Sequence, residues 1–297
     1  MRNALLLARR NVLIYWRDRT GVFLSFIAAL ILLLLYVFFL HKLNTDGIVE
    51  ALAPLGATVE DANYFVNAWV FSGIVTVTTV TTGLAALVGF VDDRVTNRFT
   101  EFAVMPIRRW QIVTGYFLAS VAVAATMTTV ILGIGWCLLR LISGQAPGPL
   151  AVLEAWGWVL LCSAAFSALS SFLIGFISSS GAFTTLSTIV GTLIGFVTGS
   201  YIPSSMLPSQ VSQVLNILPF AQAASLVRRT LAEDSLANLT KGDAVQYAVM
   251  SDHYGFTLSF GGHLLPSWAP ALTLAVMTVA FGFLATGLLR RRLRRGR

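Results

Sequence analysis

The stretch VDDRVTNRFTEFAVMPIRRW, residues 91–110, places seven charged side chains among twenty residues of a chain that otherwise contains few charges. It is bordered by two long apolar stretches, residues 68–90 and 112–141. Each is long enough to cross the hydrocarbon core of a bilayer, because about 20 helical residues span about 30 Å. The sequence therefore predicts a charged connection between two membrane-spanning helices, held at one surface of the membrane.

The composition of the whole chain indicates a membrane protein. Of its 297 residues, 56% are hydrophobic and 11% are charged, and the mean hydropathy is +0.78. A soluble domain carries about 25% charged residues, so water is not the main solvent of this chain. We expect one all-α transmembrane domain, residues 1–297, built as a bundle of six spanning helices. The predicted spans are residues 22–40, 68–90, 112–141, 153–177, 183–202 and 267–289.

The placement of arginine predicts which side of the membrane each connection faces. With six spans both termini share a side, and 15 of the 20 Lys and Arg residues fall on that side. Because basic residues concentrate on the cytoplasmic side, we expect both termini and residues 91–110 in the cytoplasm and the chain in the cell membrane. The arginines flank the spans, so the net charge of +7 indicates contact with anionic lipid headgroups and not with nucleic acid.

Residues 1–20, MRNALLLARRNVLIYWRDRT, have the pattern of a helix that lies in the plane of the headgroups. Apolar residues recur at helical spacing on one face, flanked by arginines. The members of this face are Leu5, Ala8, Val12 and Tyr15. The alternative is a positively charged leader that only sets the topology. The residues that we assign to the interfacial helix are Arg9, Arg10, Tyr15, Arg17 and Asp18.

Within residues 91–110 the spacing predicts a short amphipathic helix. Val95, Phe99 and Phe102 recur at intervals of four and three residues, with a charged stripe beside them. Pro106 ends this helix, because its ring and its missing N–H block continuation. The aromatic side chains can fill a groove on a partner protein while the charges fix the register; the alternative is an ordinary positive loop facing headgroups. The residues assigned to docking are Arg94, Arg98, Phe99, Glu101, Phe102, Met105 and Pro106.

The fifth predicted span is rich in small and hydroxylated residues. In GTLIGFVTG, Gly191, Gly195 and Gly199 lie four residues apart on one face, and small residues at that spacing let helices approach closely. Packing inside the bundle, packing on a second copy of the chain and lining of a transport path all remain open. The residues assigned to a dimer contact or path are Thr78, Thr82, Thr188, Gly191, Thr192, Gly195 and Gly199.

Two segments outside the spans are predicted on the extracytoplasmic side. Residues 41–67 form an acidic loop, and prolines divide residues 203–266 into apolar helical pieces too short to span. Such pieces are typical of re-entrant or surface helices that shield the outer end of a bundle. The stretch YGFTLSFGGHLL, residues 254–265, indicates an outer loop or hairpin.

The sequence contains none of the common motifs for ATP hydrolysis or zinc chemistry. Neither G-x-x-x-x-G-K-[ST] nor H-E-x-x-H is present. The pair Asp92–Asp93 could hold Mg²⁺ in a membrane transferase, but Arg94 and Arg98 occupy the next turn. The spans contain almost no ionisable residues of the kind that ion-driven transport uses. We therefore expect a chain that is not an enzyme, binds no metal or cofactor itself, and takes its energy from elsewhere.

Three stretches resemble the membrane subunit of type-2 ABC exporters, of the bacterial antibiotic and multidrug resistance kind. They are RNVLIYWRDRTGVFLSF (residues 10–26), VDDRVTNRFTEFAVMPIRRWQIVTGYFLAS (91–120) and FTTLSTIVGTLIGFVTGSYIPSSMLPSQVSQVLNILPF (183–220). The resemblance implies a half-transporter that dimerises, as a homodimer or with a similar subunit. It would bind two copies of a separate ATPase subunit, on which ATP and Mg²⁺ are bound. The helix within residues 91–110 would act as the coupling helix.

The resemblance also implies the cargo class, which is amphiphilic drugs, antibiotics, peptides or lipids carried between the two copies. Residues 231–266 are longer than in commoner members, which leaves their structure undefined. Three alternatives stand beside this interpretation: export of lipid-linked polysaccharide by the same kind of permease, ion-driven secondary transport, and a membrane lipid enzyme. A carboxylate cluster facing a cavity would favour the enzyme.

Overall fold

The structure, a computed structural model, describes residues 1–35, 41–99, 101 and 107–295. It is 81% helical, which confirms an all-α membrane protein. Five helical segments in the described part of the chain are long and apolar enough to span; they are Val59–Val95, Arg109–Ser143, Pro149–Ile174, Ser180–Val197 and Ala269–Leu288. The first of them is divided into two helices at residues 86–87. The first predicted span, 22–40, begins in a helix that ends at Leu35, and its last five residues lie outside the described residues. The count of six spans therefore stays a prediction.

The helices follow one another along the chain with short connections. Within the described residues they are α1 (Arg2–Arg17), α2 (Arg19–Leu35), α3 (His41–Leu52), α4 (Val59–Ala85), α5 (Val88–Val95), α6 (Arg109–Ser143), α7 (Pro149–Ile174), α8 (Ser180–Val197), α9 (Ser209–Ile217), α10 (Pro219–Leu239), α11 (Ala244–His253) and α12 (Ala269–Arg295). Single 3-10 turns cover Ala53–Leu55 and Ser204–Met206. Strands β1 (Ser259–Phe260) and β2 (His263–Leu264) form a two-stranded antiparallel ribbon.

Helix α4 is the centre of the bundle and contacts α6, α7 and α10. It begins at a capping box in which Thr58 and Asp61 each accept from the other's backbone N–H. Nearly all of its later residues are buried, several hydroxyl groups among them. Thr76 and Thr79 donate to carbonyl groups four residues earlier, so these polar side chains are satisfied inside an apolar bundle.

Helix α1 packs along the first turns of α6, at the end of the bundle that also holds α5 and the α7–α8 turn. We call this the α1 end. A Cβ atom on Gly115 of α6 would lie 2.7 Å from Leu7 Cβ, so glycine permits this close approach. The face of α1 that is buried in the bundle contains Ala4, Leu7 and Ala8. Leu5 and Leu6 are exposed, whereas Leu7 is buried.

The opposite end of the bundle is covered by α9, α10, α11 and the ribbon, which we call the outer cap. Most of it is helical, with a hairpin at residues 259–264, where the sequence predicts a loop or hairpin. The cap is fixed by a fully buried arginine: Arg228 donates to Gly255 O at 3.1 Å and to Thr198 O at 3.2 Å. The guanidinium carbon lies 5.5 Å from the centroid of the Trp69 ring. Residues 41–67, predicted as a loop, contain α3 and the start of α4.

Candidate coupling site

The connection between α4 and α6 is built as a short helix followed by a turn. Helix α5 ends at Val95, Thr96 Oγ1 donates to Asp92 O at 2.7 Å, and Asn97 adopts a left-handed backbone with φ 57°. Asparagine tolerates this conformation better than most residues and often ends helices. The predicted single helix is therefore interrupted, and Val95 and Phe99 do not share one helical face.

The residues assigned to docking are placed in different surroundings. Arg94 Nη1 donates to Ile177 O at 2.6 Å, which joins α5 to the α7–α8 turn. Phe99 is half-buried and packs on the ring of Phe90 with a centroid distance of 5.1 Å. Glu101 is exposed. Phe102, Met105 and Pro106 lie outside the described residues.

Asp93 is the polar centre of this region, and sequence reasoning missed it. Its side chain is 5% exposed and accepts from Arg10 Nη1 at 2.9 Å and from Arg98 Nη1 at 3.1 Å. Arg10 Nη2 donates to the second oxygen at 3.3 Å, so α1 binds the carboxylate with two N–H groups. The hydroxyl of Tyr116 on α6 donates to the same carboxylate. One buried acid thus joins α1, α5, the following turn and α6.

The charges around Asp93 explain why a carboxylate is stable there. A buried charge is expensive unless it is paired and hydrogen-bonded. Arg10 and Arg98 supply two positive charges, and the phenol of Tyr116 supplies a further donor. The hydrogen bond to Asp93 in turn raises the pKa of the Arg10 guanidinium, although burial works in the opposite direction. Arg10 is therefore bound to the protein, although 34% of its side chain is still exposed.

A signal for this cluster is present in the sequence. Asp93 follows Phe90 by three residues and so lies on the apolar face of α5. A single acid on an apolar helical face needs a partner charge, and Arg10 on the amphipathic first helix was a candidate. The pair Asp92–Asp93 was weighed as a metal site. Asp92 is exposed while Asp93 is buried, and no three His, Cys, Asp or Glu side chains within the described residues come close enough to hold a metal ion.

The other residues assigned to the interfacial helix differ in exposure. Arg9 and Arg17 are exposed, and Tyr15 is half-buried. Asp18 is exposed and accepts from Gly21 N at 3.0 Å, in the turn that leads into α2. The outward face also carries exposed apolar side chains, which are Leu5, Leu6, Leu13, Ile14 and Trp16.

The residues assigned to a dimer contact or path fall into separate groups. Thr188, Gly191 and Thr192 line the outward face of α8, where a Cβ atom on Gly191 would meet open space. Gly195 is instead covered by the ring of Tyr201 in the same chain, and Gly199 has φ 63° just after α8 ends. Thr78 and Thr82 are buried inside the protomer, 5% and 3% exposed. The structure therefore brings together three of the seven residues on one free helical face.

Comparisons with known proteins place the chain in a family. The profile of the ABC-2 family transporter protein matches residues 57–286, which is more than half of the chain and runs from the start of α4 into α12. A search of curated proteins finds no match. Several apolar helices and this match make the chain a multi-pass membrane protein. Permeases of this kind work with an ABC ATPase subunit. The chain belongs to the ABC-2 family of transporter proteins.

Proposed function

We propose that the chain is the permease subunit of an ATP-driven exporter for amphiphilic drugs, antibiotics, peptides or lipids. The observation that carries the proposal is the family match over residues 57–286. Two copies of the chain would form the path, and two copies of a separate ATPase subunit would bind ATP and Mg²⁺. Both termini and the α1 end would face the cytoplasm, because the arginines concentrate there.

The exposed surface at the α1 end supports docking of the ATPase. Asp92, Arg98 and Glu101 are exposed at the connection between α4 and α6, beside the half-buried Phe99. Charged side chains around an aromatic centre suit a protein interface, since they steer the partner and fix its register. The turn after α5 is anchored to the bundle at Asp93 and Arg94, so force applied to it is passed to several helices.

The outward face of α8 supports a dimer contact. Helices α8 and α12 are both largely exposed in the protomer, but their faces differ. Most of the exposed residues of α12 are large and apolar, which suits lipid; they include Leu272, Val276, Val279 and Phe283. The exposed surface of α8 includes the large Ile189, Leu193 and Phe196, but it also presents Thr188 and Thr192 beside Gly191. Small or hydroxylated residues favour close contact between helices. We therefore place the second copy on α8 and lipid on α12.

Charge reversal at Glu101 tests the docking surface. The chain is co-expressed with the ABC ATPase of its transporter, and ATP-dependent uptake of an amphiphilic fluorescent dye is measured in inverted vesicles. Glu101→Arg should lower ATPase co-purification and dye uptake by about tenfold or more, because like charges brought together at an interface cost several kcal/mol. Phe99 is less suitable, since its ring packs within the same chain.

Glu60→Arg is the matched control, because Glu60 is also exposed but lies at the other end of α4. It should leave ATPase binding unchanged. If Glu101→Arg binds the ATPase and takes up dye as well as the wild-type chain does, the assignment of Glu101 to the docking surface is wrong. Dye uptake by the purified chain without an ATPase would overturn the proposed function itself.

A further inference from the structure

Asp93 connects the surface proposed for ATPase docking to a helix that is distant in sequence. The carboxylate binds Arg10 of α1, which lies 83 residues earlier, and Arg98 of the turn after α5. We propose that Asp93 is a positioning residue that fastens α1 to the α5–α6 connection, so that the ATPase moves both as one body. This inference rests on the function proposed above.

The burial of Asp93 makes this connection hard to break. With 5% of its side chain exposed, the carboxylate is poorly solvated and depends on its protein donors. Arg10 binds it through two N–H groups, a geometry that fixes orientation as well as distance. If α5 moved while α1 stayed in place, the buried carboxylate would lose these donors. A joint movement of α1 and α5 keeps them.

The packing around the ion pair also favours joint movement. Leu7 of α1 lies in one hydrophobic cluster with Phe90 and Val91 of α5. Tyr116 packs edge-on against Phe90 with a centroid distance of 5.1 Å while its hydroxyl donates to Asp93. The adjacent residue, Arg94, extends the connection to Ile177 at the α7–α8 turn. A movement of the α5–α6 connection should therefore also move α1, α6 and the start of α8.

The test compares transport with ATP consumption in the complete transporter. Asp93→Asn keeps the shape of the side chain but removes the negative charge. Dye transported per ATP hydrolysed should fall by about tenfold or more, since hydrogen bonds to charged groups are the strong ones, while the ATPase still co-purifies. Arg10→Met should have the same effect. The double variant should be no worse than either single one, because both break one connection. Arg2→Met, an exposed arginine on the same helix, is the control.

A covalent replacement of the ion pair keeps the inference testable if Asp93→Asn folds poorly. Cys137 is first changed to serine because it is exposed and would react with a thiol reagent. Cys162 is kept because it is buried. Arg10→Cys with Asp93→Cys should uncouple transport from ATP hydrolysis, and a short bifunctional thiol reagent should restore it. Coupled transport by the unbridged cysteine pair or by Asp93→Asn, with the ATPase bound, would overturn the inference and leave the proposed function intact. A wild-type chain that binds no ATPase would instead defeat the proposed function.

Discussion

Replacing Gly191 with leucine separates a dimer contact on α8 from packing inside the protomer. A Cβ atom at this position meets nothing within 4 Å in the single chain. The larger side chain therefore fits the isolated protomer without a clash. If α8 packs on its copy at this face, the same leucine lies between two closely spaced helices. The substitution should leave the fold unchanged and weaken the dimer.

The size of the effect follows from symmetry. Inserting side-chain atoms into a well-packed contact costs about 1–3 kcal/mol, and a two-fold interface contains the change twice. The dimer should lose about 2–6 kcal/mol, which is at least about 30-fold in its dissociation constant. Gly282→Leu on α12 is the matched control, since a Cβ atom there also meets open space. Both substitutions replace a helical glycine, so their gain in helix propensity cancels in the comparison.

The assay is the dimer fraction in liposomes as a function of the protein-to-lipid ratio, read by single-molecule photobleaching. Thermal unfolding in detergent confirms that each variant is folded. Equal dimerisation by Gly191→Leu and Gly282→Leu would refute the contact on α8. Gly195→Leu would not make this distinction, because its side chain would collide with Tyr201 of the same chain.

Two further predictions concern the outer cap. Arg228→Met removes the donor to Thr198, Gly199 and Gly255, and buried carbonyl groups left without a partner cost about 1–3 kcal/mol each. The unfolding temperature should therefore fall clearly, whereas Arg140→Met, at an exposed arginine, should change it little. Equal unfolding temperatures for the two variants would contradict the buried contact. Burial lowers the pKa of His253 below its ordinary 6.5. As the pH falls, His253 therefore binds a proton more readily in the unfolded chain than in the folded one, and acidification below pH 6.5 should destabilise the cap. His253→Gln should reduce this loss between pH 7.5 and pH 5.5; an identical loss would exclude His253 as its cause.

Much of the architecture can be predicted from the sequence because hydropathy and length act locally. Apolar stretches predict the long helices, and prolines predict the division of residues 203–266. The tertiary partners could not be read in the same way. The apolar spacing of α1 predicts an interfacial helix but not the contact with Gly115 of α6, which buries Ala4 and Leu7. Spacing extended the coupling helix through Asn97, where the backbone turns left-handed.

The candidate site shows the same division between local and distant information. Arg94 and Arg98 were predicted to face a partner protein, yet each also holds the chain together, through Ile177 and Asp93. The glycines of α8 look equivalent in sequence. Gly191 faces outward, Gly195 lies against the ring of Tyr201, and Gly199 follows the end of the helix. Contacts between residues far apart in the chain decide these roles, and a single sequence does not contain them.

The buried guanidinium of Arg228 has a consequence for any opening of the bundle at the outer cap. It holds the carbonyl groups of Thr198 and Gly199, just beyond α8, and of Gly255, before the ribbon. Moving either segment away alone would take hydrogen-bond acceptors from a buried cation, which is costly. We therefore expect the end of α8, the middle of α10 and the segment before the ribbon to move together as one unit.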